Sequence, residues 1–403
     1  MRTVLVAGVA AAAIAAAERG MAQQSPPTTA ASSPSGGPGR IPIGPLVAYP
    51  GVDFAIGYDD NLFLTSSAPT SSLYTIVSPN VRVEARPGPH KFDFTLRASD
   101  GRYDSSRADD YTDYSLLGNA DMVFTARAGL KLNAEYRHGH DARGSNDAAP
   151  TSTPNQYDNY GIAGVYRYGA YGARGRIEID AGLLSHRYTN NPASTAPLNY
   201  DTSRLGGAFF WRAMPRTELF THVGVQRFDY LESSSAQNSN ITNYSFGVKW
   251  DATAATSGSI GVGQQKTDFI SGSNPSFSGS SWDARVRWSP LSYSVVDFAS
   301  SKQVNQATGV GDAIVSKLYG ITWNHAWSSR TRTQVLAGYR DDAFVNSAPS
   351  RVDNTTTFGL RANYDYLRWL RFGAEYTYST RDSTISIDGY KRNLLLFTVR
   401  ATL

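Results

Sequence analysis

The 403-residue chain carries 38 basic and 34 acidic side chains, a net charge of +4, with 18% of residues charged and 41% hydrophobic. A surplus that small, with both signs interleaved, excludes the polyanion-binding surface of a nucleic-acid protein, and loss of residues 1–22 (Arg2, Arg19, Glu18) would lower it only to +3. There is no cysteine, so the chain cannot be a disulfide scaffold and must hold itself together by packing and backbone pairing.

In chain order, Arg2 precedes an apolar run from Val4 to Ala17, followed by Gly20-Met21-Ala22 before Gln23. A charged start, an apolar segment and small residues predict a cleaved signal peptide over residues 1–22. The run is too short for the roughly 20 residues of a spanning helix. Residues 23–48 open with QQSPPTTAASSPSGGPGR. That Pro/Ser/Gly-rich composition cannot bury enough surface to order itself, and predicts a flexible periplasmic leader. From residue 49 to 403 no long helical pattern interrupts a series of short extended segments, which favours one large all-β unit over the two or three soluble domains that length alone suggests.

Those segments alternate with a period of two. In 370–376, Leu370, Phe372, Ala374 and Tyr376 share one face and Arg371, Gly373 and Glu375 the other. The same holds in 52–58, 92–98, 130–136, 177–183, 244–250, 282–288, 358–364 and 397–403. Across these nine segments none of 36 first-face positions is charged, against 15 of 27 on the second. Period-two alternation gives each strand an apolar and a polar face. A soluble β-sandwich would need the apolar face packed on a partner sheet. A transmembrane barrel turns it to lipid, where an Arg or Lys at mid-depth costs roughly 2–4 kcal/mol, and keeps the charges in a wet lumen.

Connections alternate in length: short at 87–90, 213–215, 289–291 and 328–331, longer around 143–156, 189–198, 231–240 and 344–352. Trp211, Trp250, Trp288, Trp327 and Trp369 lie at the short turns, with Tyr58, Tyr230 and Tyr339 nearer the other ends. Short periplasmic turns, long outer loops and two aromatic girdles are the outer-membrane pattern. Nine long and eight short connections predict an antiparallel up-and-down β-barrel of about 18 strands, with 16 the nearest alternative. Its last strand runs to Leu403. The expected location is the outer membrane of a Gram-negative cell, with lipid and the outer-membrane assembly machinery as partners.

Ile41 to Phe63 resembles the opening of a family of outer-membrane β-barrel porins associated with exopolysaccharide or capsule biosynthesis. The shared elements are Tyr49-Pro50, then Gly57-Tyr58-Asp59-Asp60-Asn61. Further on they are Tyr103 with Asp110-Tyr111-Thr112-Asp113-Tyr114, and Glu135-Tyr136-Arg137-His138 leading to Asp141. The resemblance implies a pore that exports polysaccharide with periplasmic export proteins as partners. The residues themselves leave a diffusion or solute-uptake porin open, and, less favoured, a lipid-hydrolysing barrel enzyme.

No catalytic, cofactor or metal residue is singled out. The six His are scattered; His138 and His140 are expected on the lipid face near the outer end. Asp59-Asp60-Asn61 could hold Ca²⁺ but reads better as a strand end. The informative set is the charged face. Expected lumen-lining residues are Arg82, Glu84 and Arg86, Asp93 and Arg97, Lys131, Glu135 and Arg137, and Arg176, Glu178 and Asp180. In the second half they are Asp283, Arg285 and Arg287, then Arg361, Arg371, Glu375 and Arg400. Only those left unpaired would set selectivity.

Overall fold

The computed structural model describes residues 39–145, 151–170, 172–232, 235–251, 255–270, 274–307 and 309–402. The expected signal peptide and residues 23–38 of the expected leader lie outside them. Residues 41–48 of the expected leader are described, and they include strand. Strand β1 (Ile41–Ile43) folds back on the start of β2 (Leu46–Asp59), pairing Ile41 with Ala48. Leu46 is already paired with Ala85 of the next strand.

The chain then runs up and down through β3 (Ser72–Ala85), β4 (Lys91–Tyr103), β5 (Tyr111–Val123), β6 (Ala128–Asp141), β7 (Asn155–Tyr168), β8 (Gly175–Tyr188), β9 (Tyr200–Met214) and β10 (Thr217–Tyr230). It continues through β11 (Ser239–Trp250), β12 (Thr256–Phe269), β13 (Phe277–Leu291), β14 (Ser294–Gln306), β15 (Ala313–Ala326), β16 (Thr331–Val345), β17 (Val352–Leu367), β18 (Leu370–Ser383) and β19 (Tyr390–Thr402). Each strand pairs antiparallel with its sequence neighbours, and β19 returns to pair with β2 from Leu394↔Asp59 to Thr402↔Gly51. The eighteen strands β2 to β19 therefore form a closed ring. Closure matters because lipid offers no partner to an open edge. No helix among the described residues is long and apolar enough to cross a membrane; the crossing is made by strands. They run from 12 to 16 residues, against roughly 9–11 needed for the hydrocarbon, so the strand ends stand in the headgroup layer or beyond.

Register carries the alternation around the ring. The described residues of all nine segments lie in strands, with their apolar sets outward: Val52, Phe54, Ile56 and Tyr58 on β2 are 41–44% exposed, while the alternate residues Asp53, Ala55 and Asp59 are 1–9% exposed. Trp211, Trp288, Trp327 and Trp369 are 47–61% exposed at the short-turn end, and Tyr58 and Tyr339 are outward at the other. Tyr230 departs from the expected girdle. It pairs with Tyr200 on the inward register and is 8% exposed, packed with Phe228 and Ile241. The turn expected at 289–291 also moves. β13 continues through Pro290 to Leu291, with a register shift between Trp288 and Leu291 that accommodates a residue with no N–H to donate.

Candidate functional site

The inward face is a lattice of charges. Asp53 of β2 receives Arg400 of β19 at 2.5 Å and Arg97 of β4 at 3.4 Å. Glu84 takes Arg82 at 2.5 Å, and Asp93 lies 3.6 Å from Arg82. Lys131 reaches Asp121 at 3.6 Å. Arg176 pairs with Glu178 and, at 2.8 Å, with Glu218 two strands away, while Asp180 meets His222 at 3.2 Å. Arg285 holds Asp283 at 3.3 Å and Arg287 holds Asp297 at 2.6 Å. Arg361 binds Glu375 at 2.7 Å, and Arg371 binds Asp365 at 2.5 Å. Seventeen of the eighteen expected lumen residues thus sit in strands with inward register. Arg86 does not. It lies beyond the end of β3, 66% exposed, with Glu84 at 3.0 Å.

Pairing within and between strands braces the wall and offsets most of these charges locally. Glu135 and Arg137 are different: neither makes a salt bridge among the described residues, and both line a cavity of about 860 Å³. This cavity runs from Ser292 and Tyr293 at the short-turn end up to Tyr111. Arg97, Arg137, Arg332, Arg361, Arg371 and Arg400 line it, against Asp53, Asp113, Glu135 and Glu375. A second cavity of about 390 Å³ lies toward the long loops, with Tyr200, Phe228 and Tyr230 on one side and Arg340, Asp342 and Asp353 on another.

The outer end of β2 to β6 gathers Gly57 to Asn61, Tyr103 and Asp110 to Tyr114, whereas Tyr49 and Pro50 lie toward the other end of β2, paired with Arg82 and Val81. Tyr74, Tyr103 and Tyr111 stack in sequence, with ring centroids 5.4 and 6.4 Å apart. A Cβ at Gly57 would fall inside the Tyr74 ring and one at Gly101 inside the Tyr111 ring, so only glycine permits this inward stack. Leu62 of the connection 60–71 is buried against it with Phe63, which lies under the Arg143 guanidinium at 4.0 Å, and Leu64 is buried as well. His138 and His140 part company. His138 stays outward, stacked on Tyr114 at 4.8 Å and bonded to Asp158. His140 is 4% exposed, 2.9 Å from the inward Asp113 and 4.1 Å from the Tyr111 ring. The β5–β6 ladder stops at Tyr114↔His138, while β6 stays in register with β7 through Asp141↔Asn155.

Asp59-Asp60-Asn61 is committed to its own chain. Asp59 holds Arg392, Asp60 accepts from Asn393 Nδ2 at 2.6 Å, and Asn61 donates to the Thr65 and Lys391 carbonyls. Among the described residues, no group of three or more His, Cys, Asp or Glu is placed to hold a metal ion.

A closed barrel with an apolar, aromatic-ringed exterior and a bore lined by charges defines an outer-membrane porin. The chain belongs to the family described as Putative beta-barrel porin 2, whose model matches residues 33–403. No curated protein matches it in sequence. Its fold is similar to that of OpdK from Pseudomonas aeruginosa, solved with vanillate (9% identity, TM-score 0.51, covering 88% of this chain and 99% of that one). It is also similar to OccK2 (OpdF) from the same organism in complex with glucuronate (11%, 0.50, 88% and 98%). A BenF-like porin from Pseudomonas fluorescens Pf-5 gives 8%, 0.50, 89% and 99%. At these identities the likeness is one of fold.

Proposed function

We propose that the chain is a solute-uptake porin passing small polar molecules with a modest preference for carboxylates. The observation that carries this is the lining of the 860 Å³ cavity, where six guanidinium groups face four carboxylates and Arg137 is committed to none of them. A ring of cationic side chains favours anions in a narrow bore, and a contact weak enough to release lets them pass. Glu135 stands two residues away on the same face and offsets part of that field. Vanillate and glucuronate, named with two of the fold neighbours, bear the same chemical group.

Polysaccharide export, which the family resemblance implies, is the less supported reading. A hydrated polymer needs a wide continuous bore. Here the outer half of the lumen is crowded enough to leave Ser239, Thr267 and Ser316 on its wall only 0–1% exposed.

In a planar bilayer under a KCl gradient, the reversal potential of the wild-type pore is expected on the anion-selective side. Arg137→Gln should move it toward cations and Glu135→Gln further toward anions. A potential unmoved by both removes the assignment. In cells, gene deletion should slow uptake of small organic acids and leave surface polysaccharide intact; loss of polysaccharide with unchanged uptake would restore the export reading.

A further inference from the structure

At its outer rim the ring of backbone pairing stops short between β5 and β6, at Tyr114↔His138, and over a longer stretch where β13 meets β14. That ladder begins at Trp282↔Lys302. Above it, Phe277 to Ser281 remain paired with β12, and Gln303 to Gln306 remain paired with β15, but the two stretches do not pair with each other.

The reason is visible in where β14 goes. Val304 N donates to Gln265 Oε1 at 3.2 Å, and Gln265 Nε2 donates to Val304 O at 3.4 Å. Gln265 belongs to the inward face of β12, so β14 has crossed behind β13 into the bore. Gln306 Nε2 donates to Ser239 Oγ of β11 at 3.3 Å. Farther out, Gln237 Nε2 in the connection 231–238 donates to Gly311 O at 3.4 Å. The even-numbered face of β14 that meets lipid lower down, at Phe298 (42% exposed), is here pressed on the inner wall of β11 and β12. Polar Gln306 on that face suits a wall contact and not an acyl chain. Ala307 and Ile314 of the β14–β15 hairpin, with Val310 against them, form a small apolar core with Phe344 of β16.

We infer that the outer end of the β14–β15 hairpin is a gate with two positions. Folded in, as described, residues Gln303 to Gln306 line the outer cavity and narrow the path. Swung out, the existing register would simply continue, setting Ser281 opposite Gln303, Ser280 opposite Val304 and Gly279 opposite Asn305. The β13 edge that is now unpaired would then complete the wall. The Gln265 amide is the latch, because it supplies Val304 with the donor and acceptor that a neighbouring strand would otherwise give. An unpaired edge is tolerable here because it lies at the strand ends, above the hydrocarbon. The gate does not depend on which solute crosses.

The chain has no cysteine, so introduced thiols report only on each other. Directly opposed residues of an antiparallel pair lie at disulfide distance, so Ser280→Cys with Val304→Cys can join only when the hairpin is out. In the reconstituted full-length protein, oxidation is expected to trap this disulfide and raise single-channel conductance several-fold, with reductant restoring the original level. Independently, Gln265→Ala with Gln306→Ala should lengthen the high-conductance dwell. Failure of the thiols to join, a disulfide that leaves conductance unchanged, or a latch variant with wild-type dwell times each overturns the gate.

Discussion

Removing either partner of the Asp59–Arg392 pair is expected to cost about 3–5 kcal/mol, the penalty for stranding a buried charge. Asp59 is 1% exposed at the outer end of β2, and Arg392 is 9% exposed at the start of β19. Arg392 Nε reaches both carboxylate oxygens at 3.0 and 3.1 Å, across 333 residues of sequence. One step away, Asp60 N donates to Asn393 O at 3.2 Å and Asn393 N donates to Asp60 Oδ1 at 2.6 Å. These contacts fasten the first barrel strand to the last, the one seam that no hairpin loop joins. Asp59→Asn and Arg392→Ala should therefore each lower the temperature at which the folded barrel loses its compact band in unheated detergent gels. The double variant Asp59→Leu with Arg392→Met should recover much of the loss, since no lone charge remains. Equal stability of wild type and both single variants would show that the ladder closes the ring unaided.

The sequence makes the outward face legible because lipid imposes one uniform demand on it. A charge there is penalised in every strand, so period-two reading places Phe54, Leu360 and Phe397 without knowledge of their neighbours. The inward face answers to no such rule. Arg97 and Arg400 share Asp53 although they come from β4 and β19, and nothing local in the chain says that Arg137 will be left without such a partner. At the outer rim, contacts from distant strands also decide where a residue goes: His140 meets Asp113, and β14 turns to Gln265 of β12. For β14 a signal existed. Lys302 and Gln306 occupy positions that would face lipid if the strand ran straight, and their polarity marks the outer end as exceptional.

Adjacent residues of one strand offer the sharpest test of the lipid-facing assignment. Leu116 and Ser115 lie near the middle of β5. Leu116 pairs with Leu96, itself 47% exposed on the outward face, and with Tyr136. Ser115 pairs with Arg97 and Arg137 and lines the larger cavity. Leu116→Arg places a guanidinium against acyl chains near mid-depth, for an expected loss of roughly 2–4 kcal/mol in urea unfolding from phospholipid vesicles. Ser115→Arg places the same group in water one residue away. Its stability should stay within about 1 kcal/mol of wild type, the scale of a like-charge cross-strand contact. It should also strengthen the anion preference of the pore, because it adds a cation beside Arg137. Hydrophobicity, volume and helix or strand preference of the new residue are identical in the two variants, so only the medium each side meets can separate them. Equal losses would mean that the two faces of β5 see the same environment, which no water-filled barrel in a membrane allows.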